Sequence, residues 1–267
     1  MIKVAVSGAG GRMGRLLVRL VREAPDLKLT GALESATHQD LGRDVGSLAG
    51  GSAAHVSLVA DPAVAVRDAQ VVIDFSTPMA TRQVLEAARK AGAAAIVGTT
   101  GLDAAAKEEL LRTADVVPVV AAPNMSVGVS VLFRLVAEAA RLLGEEYDVD
   151  VVEMHHARKV DAPSGTALRL AEVVAEGRGV SADDVVVHGR SGAQGPRAKG
   201  EIGVFALRGG DVVGDHTVVL ASVGERLEIT HRAGSRDNFA LGALRAARWV
   251  VGRPPKLYDM KDVLGIG

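Results

Sequence analysis

Short apolar runs alternate with longer segments of helical periodicity through the first 120 residues. IKVAVS (2–7), LKLTGAL (27–33), VVIDF (71–75), AAIV (94–97) and VVPVVA (116–121) carry apolar or β-branched residues at most positions, the pattern of strands buried on both faces. Residues 12–24, 79–91 and 103–113 between them space apolar side chains as helices do, so this half predicts repeated βαβ units and a parallel sheet. A further helix is expected after Met125, through LLGEE. From Tyr147 the rhythm changes. A strand over YDVDVVEMHH, a polar loop, a helix beginning near Ser164 and strands near 201–208, 216–222 and 225–231 predict an α+β module with a mixed, largely antiparallel sheet. The aperiodic stretch GRSGAQGPRAKGE (189–201) predicts a long, mobile loop. NFALGALRAARWVVG predicts a last helix that stops before Pro254-Pro255 and whose packing partner the pattern leaves open.

Composition narrows the function classes. The 267 residues are 48% hydrophobic but only 3% aromatic, so the core is built from Val, Ala, Leu and Ile, and the length suits one large domain or two modest ones. With 31 basic against 32 acidic side chains the net charge is −1, which excludes a strongly basic field for wrapping nucleic acid. Cysteine is absent, which excludes disulfides, thiolate metal sites and a Cys nucleophile. No stretch reads as a signal peptide or a membrane span, so a cytoplasmic chain with no membrane partner is expected.

The first strand runs directly into Gly8-Ala9-Gly10-Gly11-Arg12-Met13-Gly14 and then an apolar helix, so backbone N–H groups and a helix N-terminus converge where a diphosphate could sit. The spacing is GxGxxxG overlaid on GxxGxxG rather than strict GxGxxG, and four glycines in seven residues favour nucleotide binding over an empty tight turn. Glu34 ends the second strand, 20 residues after Gly14, where a carboxylate can accept hydrogen bonds from a ribose. The alternative is an exposed strand-end acid. Glu34 would also repel a 2′-phosphate, and Ser35-Ala36-Thr37-His38 supply no Arg or Lys to offset it, so NADH is expected over NADPH. Asp74-Phe75-Ser76-Thr77-Pro78 and Gly98-Thr99-Thr100-Gly101 put small hydroxyl residues at strand ends, as a ligand crevice or as ordinary turns.

EMHHARKVDAPSGTAL crowds His155, His156, Arg158 and Lys159 ahead of a helix opened by Ser164-Gly165-Thr166. Such a helix end can bind a carboxylate, with His and Lys beside it to add charge or move protons, which suggests a dicarboxylate; a solvated basic loop before a capped helix is the plainer reading. No metal is expected, because adjacent histidines on a strand face opposite ways and no third ligand stands at suitable spacing.

Taken with DFSTP (74–78), VGTTG (97–101), APNMSVGV (122–129), GDHTV (214–218) and ERLEITHRAGSR (225–236), these motifs make nearly the whole chain resemble the 4-hydroxy-tetrahydrodipicolinate (dihydrodipicolinate) reductase family of bacterial lysine and diaminopimelate synthesis. The resemblance implies a discontinuous Rossmann domain of residues 1–126 and 236–267, and a substrate-binding and tetramer-forming domain of residues 127–235. It implies cofactor contacts at Gly8, Ala9, Gly10, Gly11, Arg12, Met13, Glu34, Gly98, Thr99, Thr100, Ala122, Pro123, Asn124 and Met125, and substrate contacts at His156, Lys159, Gly165 and Thr166. By the same resemblance His155 and Lys159 supply protons, with Arg236 a weaker supporting candidate. Ser35 stands where relatives that use NADPH well often carry Arg, which puts use of both cofactors in doubt. A non-catalytic dinucleotide sensor would need no such His, Lys and Ser-Gly-Thr cluster; a different dehydrogenase acting on an amino or oxo dicarboxylate is the remaining alternative.

Overall fold

The computed structural model describes residues 1–266. Its first part comprises β1 (Ile2–Ser7), α1 (Arg12–Glu23), β2 (Leu27–Leu33), α2 (Val45–Leu48), β3 (Leu58–Val59), α3 (Pro62–Val66), β4 (Val71–Asp74), α4 (Pro78–Ala91), β5 (Ala94–Val97), α5 (Ala104–Ala114) and β6 (Val119–Ala121). It continues through α6 (Val127–Leu143), β7 (Asp148–His155), α7 (Gly165–Arg178), α8 (Ala182–Val185), β8 (Val186–His188), β9 (Ile202–Arg208), β10 (Asp215–Ser222), β11 (Glu225–Arg232), α9 (Asp237–Val250), β12 (Leu257–Tyr258) and α10 (Met260–Leu264). The elements absent from the sequence reading are α2, β3, α3, α8, β8, β12 and α10, each too short to display a period. Contacts gather the described residues into two units, Met1–Val127 with the chain from Asp237 onward, and Gly128–Arg236.

The first unit is built on a parallel sheet in the order β12-β6-β5-β4-β1-β2-β3. Helices cover both faces, which is why β4 and β5 are buried at every residue. Leu17, Val18 and Val21 of α1 pack with Ala243, Leu244 and Ala247 of α9 on one face; Val84 and Leu85 of α4 and Leu110 of α5 pack on the other. The partner of α9, open in the sequence, is thus the face covered by α1. The chain winds outward from β1 through β2 to β3, then returns to β4 and winds the other way. That reversal opens a crevice at the carboxyl ends of β1 and β4, the usual ligand position in doubly wound sheets.

The second unit carries a five-stranded sheet in the order β11-β10-β7-β9-β8. Two pairings, β10 with β7 and with β11, are antiparallel; the β7–β9 and β8–β9 pairings are parallel. The parallel share is larger than the periodicity suggests because α7 carries the chain back along the sheet before β8 and β9, and such a crossover returns strands parallel. One face packs Val149, Val151, Val204 and Leu220 under α6 and α7. Residues 189–201 form no helix or strand, and two arginines of the segment reach β7. Arg197 reaches Asp150 Oδ1 at 2.8 Å and donates to the Val149 carbonyl at 2.6 Å, while Arg190 holds the same carboxylate at 3.2 Å. Among the described residues no helix is long and apolar enough to cross a membrane.

Candidate functional site

In the first unit the glycine loop leaves β1 at the reversal point. Gly8 has φ of +73°, and a Cβ there would lie 2.5 Å from the Phe75 carbonyl oxygen. At Gly14 the added carbon would lie 2.0 Å from the Gly8 oxygen, so the loop folds onto the first turn of α1 only without a side chain. Ala9 is buried, Arg12 is exposed and Met13 packs on the core. Side-chain oxygens of Asp61, Thr77, Asp103 and Asp259 cap α3, α4, α5 and α10; Gly11 caps α1 with none, and its first turn holds no acid. Twelve residues of helix dipole therefore end on bare amides, which suits an anion. Glu34 accepts from Gly10 N–H and Ser35 N–H, both at 3.0 Å, so it shapes the loop while keeping lone pairs for a ribose.

Thr99, Thr100, Ala122 and Pro123 line a groove of about 290 Å³ at the ends of β5 and β6, with Lys107 at its edge. Gly98 lies against the Phe75 ring, where a Cβ would meet Cζ at 2.3 Å. The Asn124 side chain accepts from Ser126 N–H at 2.9 Å, and Met125 is packed in the core. Asp74, 1% exposed, accepts from Ser76 and Thr81 hydroxyls at 2.6 Å and from Thr99 at 2.8 Å. This buried knot ties β4, α4 and the loop after β5, so the hydroxyls of DFSTP and VGTTG hold the crevice together.

In the second unit β7 ends on His155, which is buried, while His156 lies just past the strand with its N–H donating to Val212 O at 2.8 Å. Burial, then the charges of Arg158 and Arg236, push the His156 imidazole below its ordinary pKa. Lys159 Nζ pairs with Asp161 Oδ1 at 2.9 Å, and that hydrogen bond holds the Asp161 carboxyl below the usual range. Ser164 caps α7, its Oγ accepting from Ala167 N–H at 3.2 Å. Gly165 has open space around it, since a Cβ there meets nothing within 4 Å; the fold does not demand glycine, and an approaching ligand would. His155, His156, Lys159, Ser164, Gly165 and Thr166 thus belong to one strand end, one loop and one helix start. Among the described residues no group of three or more His, Asp and Glu side chains is placed to hold a metal ion.

The dihydrodipicolinate reductase N-terminal family model matches residues 2–125, and its C-terminal counterpart matches residues 128–264. The chain belongs to the dihydrodipicolinate reductase family. It is similar to proteins named 4-hydroxy-tetrahydrodipicolinate reductase from Anaeromyxobacter dehalogenans, 52% identical over 100% of this chain and 98% of the relative, and from Syntrophus aciditrophicus, 46% identical over 99% of each. A dipicolinate-bound dihydrodipicolinate reductase from Paenisporosarcina sp. TG-14 shares the fold, with a TM-score of 0.76 over 97% of both chains at 22% identity.

Three residues of this family member escaped the sequence reading: the buried Glu153 and His216 and the half-buried Arg208. The period-two alternation of β7 does place Glu153 on the face of His155, but its partner Arg208 is 55 positions away. His216 sits 3.1 Å from Ser164 Oγ, and burial, then the neighbouring His155, push its pKa down to about 4 from an ordinary 6.5. Between those two pH values the unfolded chain binds a proton that the folded chain does not, so stability falls as pH falls, by about 3 kcal/mol across the window. Urea unfolding at pH 7 and pH 4.5 should show this slope, and His216→Gln should flatten it; an equal slope in the variant would assign the loss elsewhere.

Proposed function

We propose that the chain reduces 4-hydroxy-tetrahydrodipicolinate to tetrahydrodipicolinate with a reduced nicotinamide dinucleotide, in lysine and diaminopimelate synthesis. The observation that carries this is the convergence at the start of α7 of His155, Lys159 and a Gly165 with open space beside it, in a chain that also has an uncapped glycine-loop helix. Overall one hydride and one proton enter the ring compound and one water leaves. The nicotinamide, when bound, supplies the hydride.

The chain's own part is binding, orientation and proton supply. The uncapped first-turn amides of α1, at Arg12 and Met13, receive the diphosphate; Glu34 accepts from the ribose, and the groove of Thr99, Thr100, Ala122 and Pro123 takes the nicotinamide half. In the second unit Gly165 and Thr166 amides bind one substrate carboxylate, with His156 and Lys159 adding donors. Lys159 and His155 supply protons, Asp161 holding the Lys159 ammonium in place at 2.9 Å until a carboxylate competes for it.

NADH is the preferred dinucleotide in this reading, because Glu34 would face a 2′-phosphate with no cation in the four residues after it. Glu34→Ala should raise the ratio of NADPH to NADH turnover, and an unchanged ratio would remove Glu34 as the discriminator. We place self-association, as a homotetramer, on the second unit, whose sheet has helices over one face only and leaves Val152, Met154 and Val219 half-buried on the other. Sedimentation as a monomer would dismiss that interface.

The deciding assay is loss of NADH absorbance on adding freshly condensed pyruvate and aspartate semialdehyde, with NADPH and His155→Ala arms. Rapid oxidation that requires His155 supports the reaction. NADH binding without oxidation would leave a dinucleotide-binding unit and no such substrate.

A further inference from the structure

Glu153 is wholly buried at 0% exposure, and the reaction above gives it no part. Its Oε1 accepts from Ser164 N–H at 3.0 Å and from Arg208 Nη2 at 2.9 Å; its Oε2 accepts from Arg208 Nη1 at 2.9 Å and lies 2.6 Å from His155 Nδ1. Burial favours protonation of this carboxyl, but hydrogen bonds from Arg208, then His155 and the Ser164 amide, outweigh it and hold the group ionised. An ionised carboxylate can only accept, and Arg208 keeps its protons. The hydrogen in the 2.6 Å contact therefore sits on His155 Nδ1. Neutral His155 then has a bare Nε2.

That nitrogen faces a position kept free by Gly214, where a Cβ would lie 2.9 Å from Nε2. The His216 ring meets that of His155 edge-on, at 5.1 Å between centroids and 76° between planes, and is itself held by Ser164 Oγ at 3.1 Å. Ser164 is thus grasped by its N–H at Glu153 and by its hydroxyl at His216, immediately before the helix end proposed to receive a carboxylate.

We propose that Glu153, clamped by Arg208, is the positioning residue of this site. One oxygen sets the ring and tautomer of His155 so that Nε2 is the atom that takes and gives the proton, and the other sets the Ser164 amide and with it the first turn of α7. The inference deepens the reading of His155 given above and rests on it for its catalytic meaning; the tautomer does not depend on that reading. A buried ion pair serving stability alone would not tie the pH–rate limb to the His155 titration. A positioning pair moves both together, with a sign. The charged and titratable groups facing the ring are Glu153, Arg208, His216, Lys159 and His156, and among these Glu153 and Arg208 oppose each other. Removing the carboxylate's charge disfavours the imidazolium, and removing the guanidinium favours it.

Long-range ¹H–¹⁵N spectra of the full chain, labelled at histidine, test this in wild type, E153Q and R208M, with H155Q for assignment. The expected result is an Nδ1–H tautomer for neutral His155 in wild type, a titration midpoint moved to lower pH in E153Q and to higher pH in R208M. E153Q should also lose ~10²-fold in kcat, with the pH–rate limb moving in the same direction as the midpoint and KM for the dinucleotide unchanged. An Nε2–H tautomer in wild type overturns the proposal even where both variants fail to fold. So does an unmoved midpoint and limb in folded E153Q. Wild-type turnover in H155Q, with the tautomer as expected, sinks the proton-transfer reading instead, and the catalytic half of the proposal falls with it while Glu153 keeps only the Ser164 amide.

Discussion

Lys159→Ala is expected to lower kcat by ~10² to 10⁴-fold, the range for lost acid–base help, with the thermal midpoint and circular dichroism close to wild type. The residue is suited to this outcome. It stands on the loop between β7 and α7, its side chain is 20% exposed, and its partner Asp161 is 56% exposed. An ion pair so open to water contributes at most about 1 kcal/mol to stability, so its loss leaves the fold in place. In the proposed reading that ammonium is a donor to a dicarboxylate bound at Gly165 and Thr166. His155→Ala is expected to cost turnover in the same range, but it also empties a buried position between Glu153 and His216 and should lower the thermal midpoint. Steady-state kinetics with calorimetry on both variants separate the two effects. A well-folded Lys159→Ala enzyme with near-normal turnover would refute its role.

The second large effect is expected at Gly14. An alanine methyl there would lie 2.0 Å from the Gly8 carbonyl oxygen and 2.5 Å from the Ala9 Cα, both backbone atoms that yield only if the loop moves off α1. Overpacking of this kind costs about 1–3 kcal/mol, and the displacement disturbs the helix end that would receive a diphosphate. Gly14→Ala should therefore lower the melting temperature and abolish NADH binding, read as loss of the fluorescence rise on titrating NADH. Gly11→Ala should lower the melting temperature less, since its methyl would approach the Gly8 oxygen only to 3.3 Å and the neighbours can give by that little. Wild-type NADH affinity in a folded Gly14→Ala protein would show that the loop does not hold the dinucleotide.

Much of this molecule was legible in the chain as written. The strands and long helices of the first unit follow from local periodicity, because a strand buried on both faces must be apolar throughout and an amphipathic helix must repeat every three to four residues. The glycine loop with its uncapped helix and the Ser164 cap were legible for the same reason: a turn, a bare helix end and a cap are each made by adjacent residues. The ties of the 189–201 segment were not legible, since Arg190 and Arg197 meet an aspartate 40 and 47 positions earlier.

What the amino-acid order settles by itself, then, is which segments become strands and helices and which short motifs carry chemistry, because those depend on neighbours along the chain. Only the tertiary structure decides that α9 shares a face with α1, that Asp74 is knotted by Thr81 and Thr99, and that Glu153 meets Arg208, His155 and Ser164 at once. The contacts of Asp74 and Glu153 join residues from 2 to 55 positions apart through a buried carboxylate, and a carboxylate can be buried only where the completed fold delivers every one of its donors together.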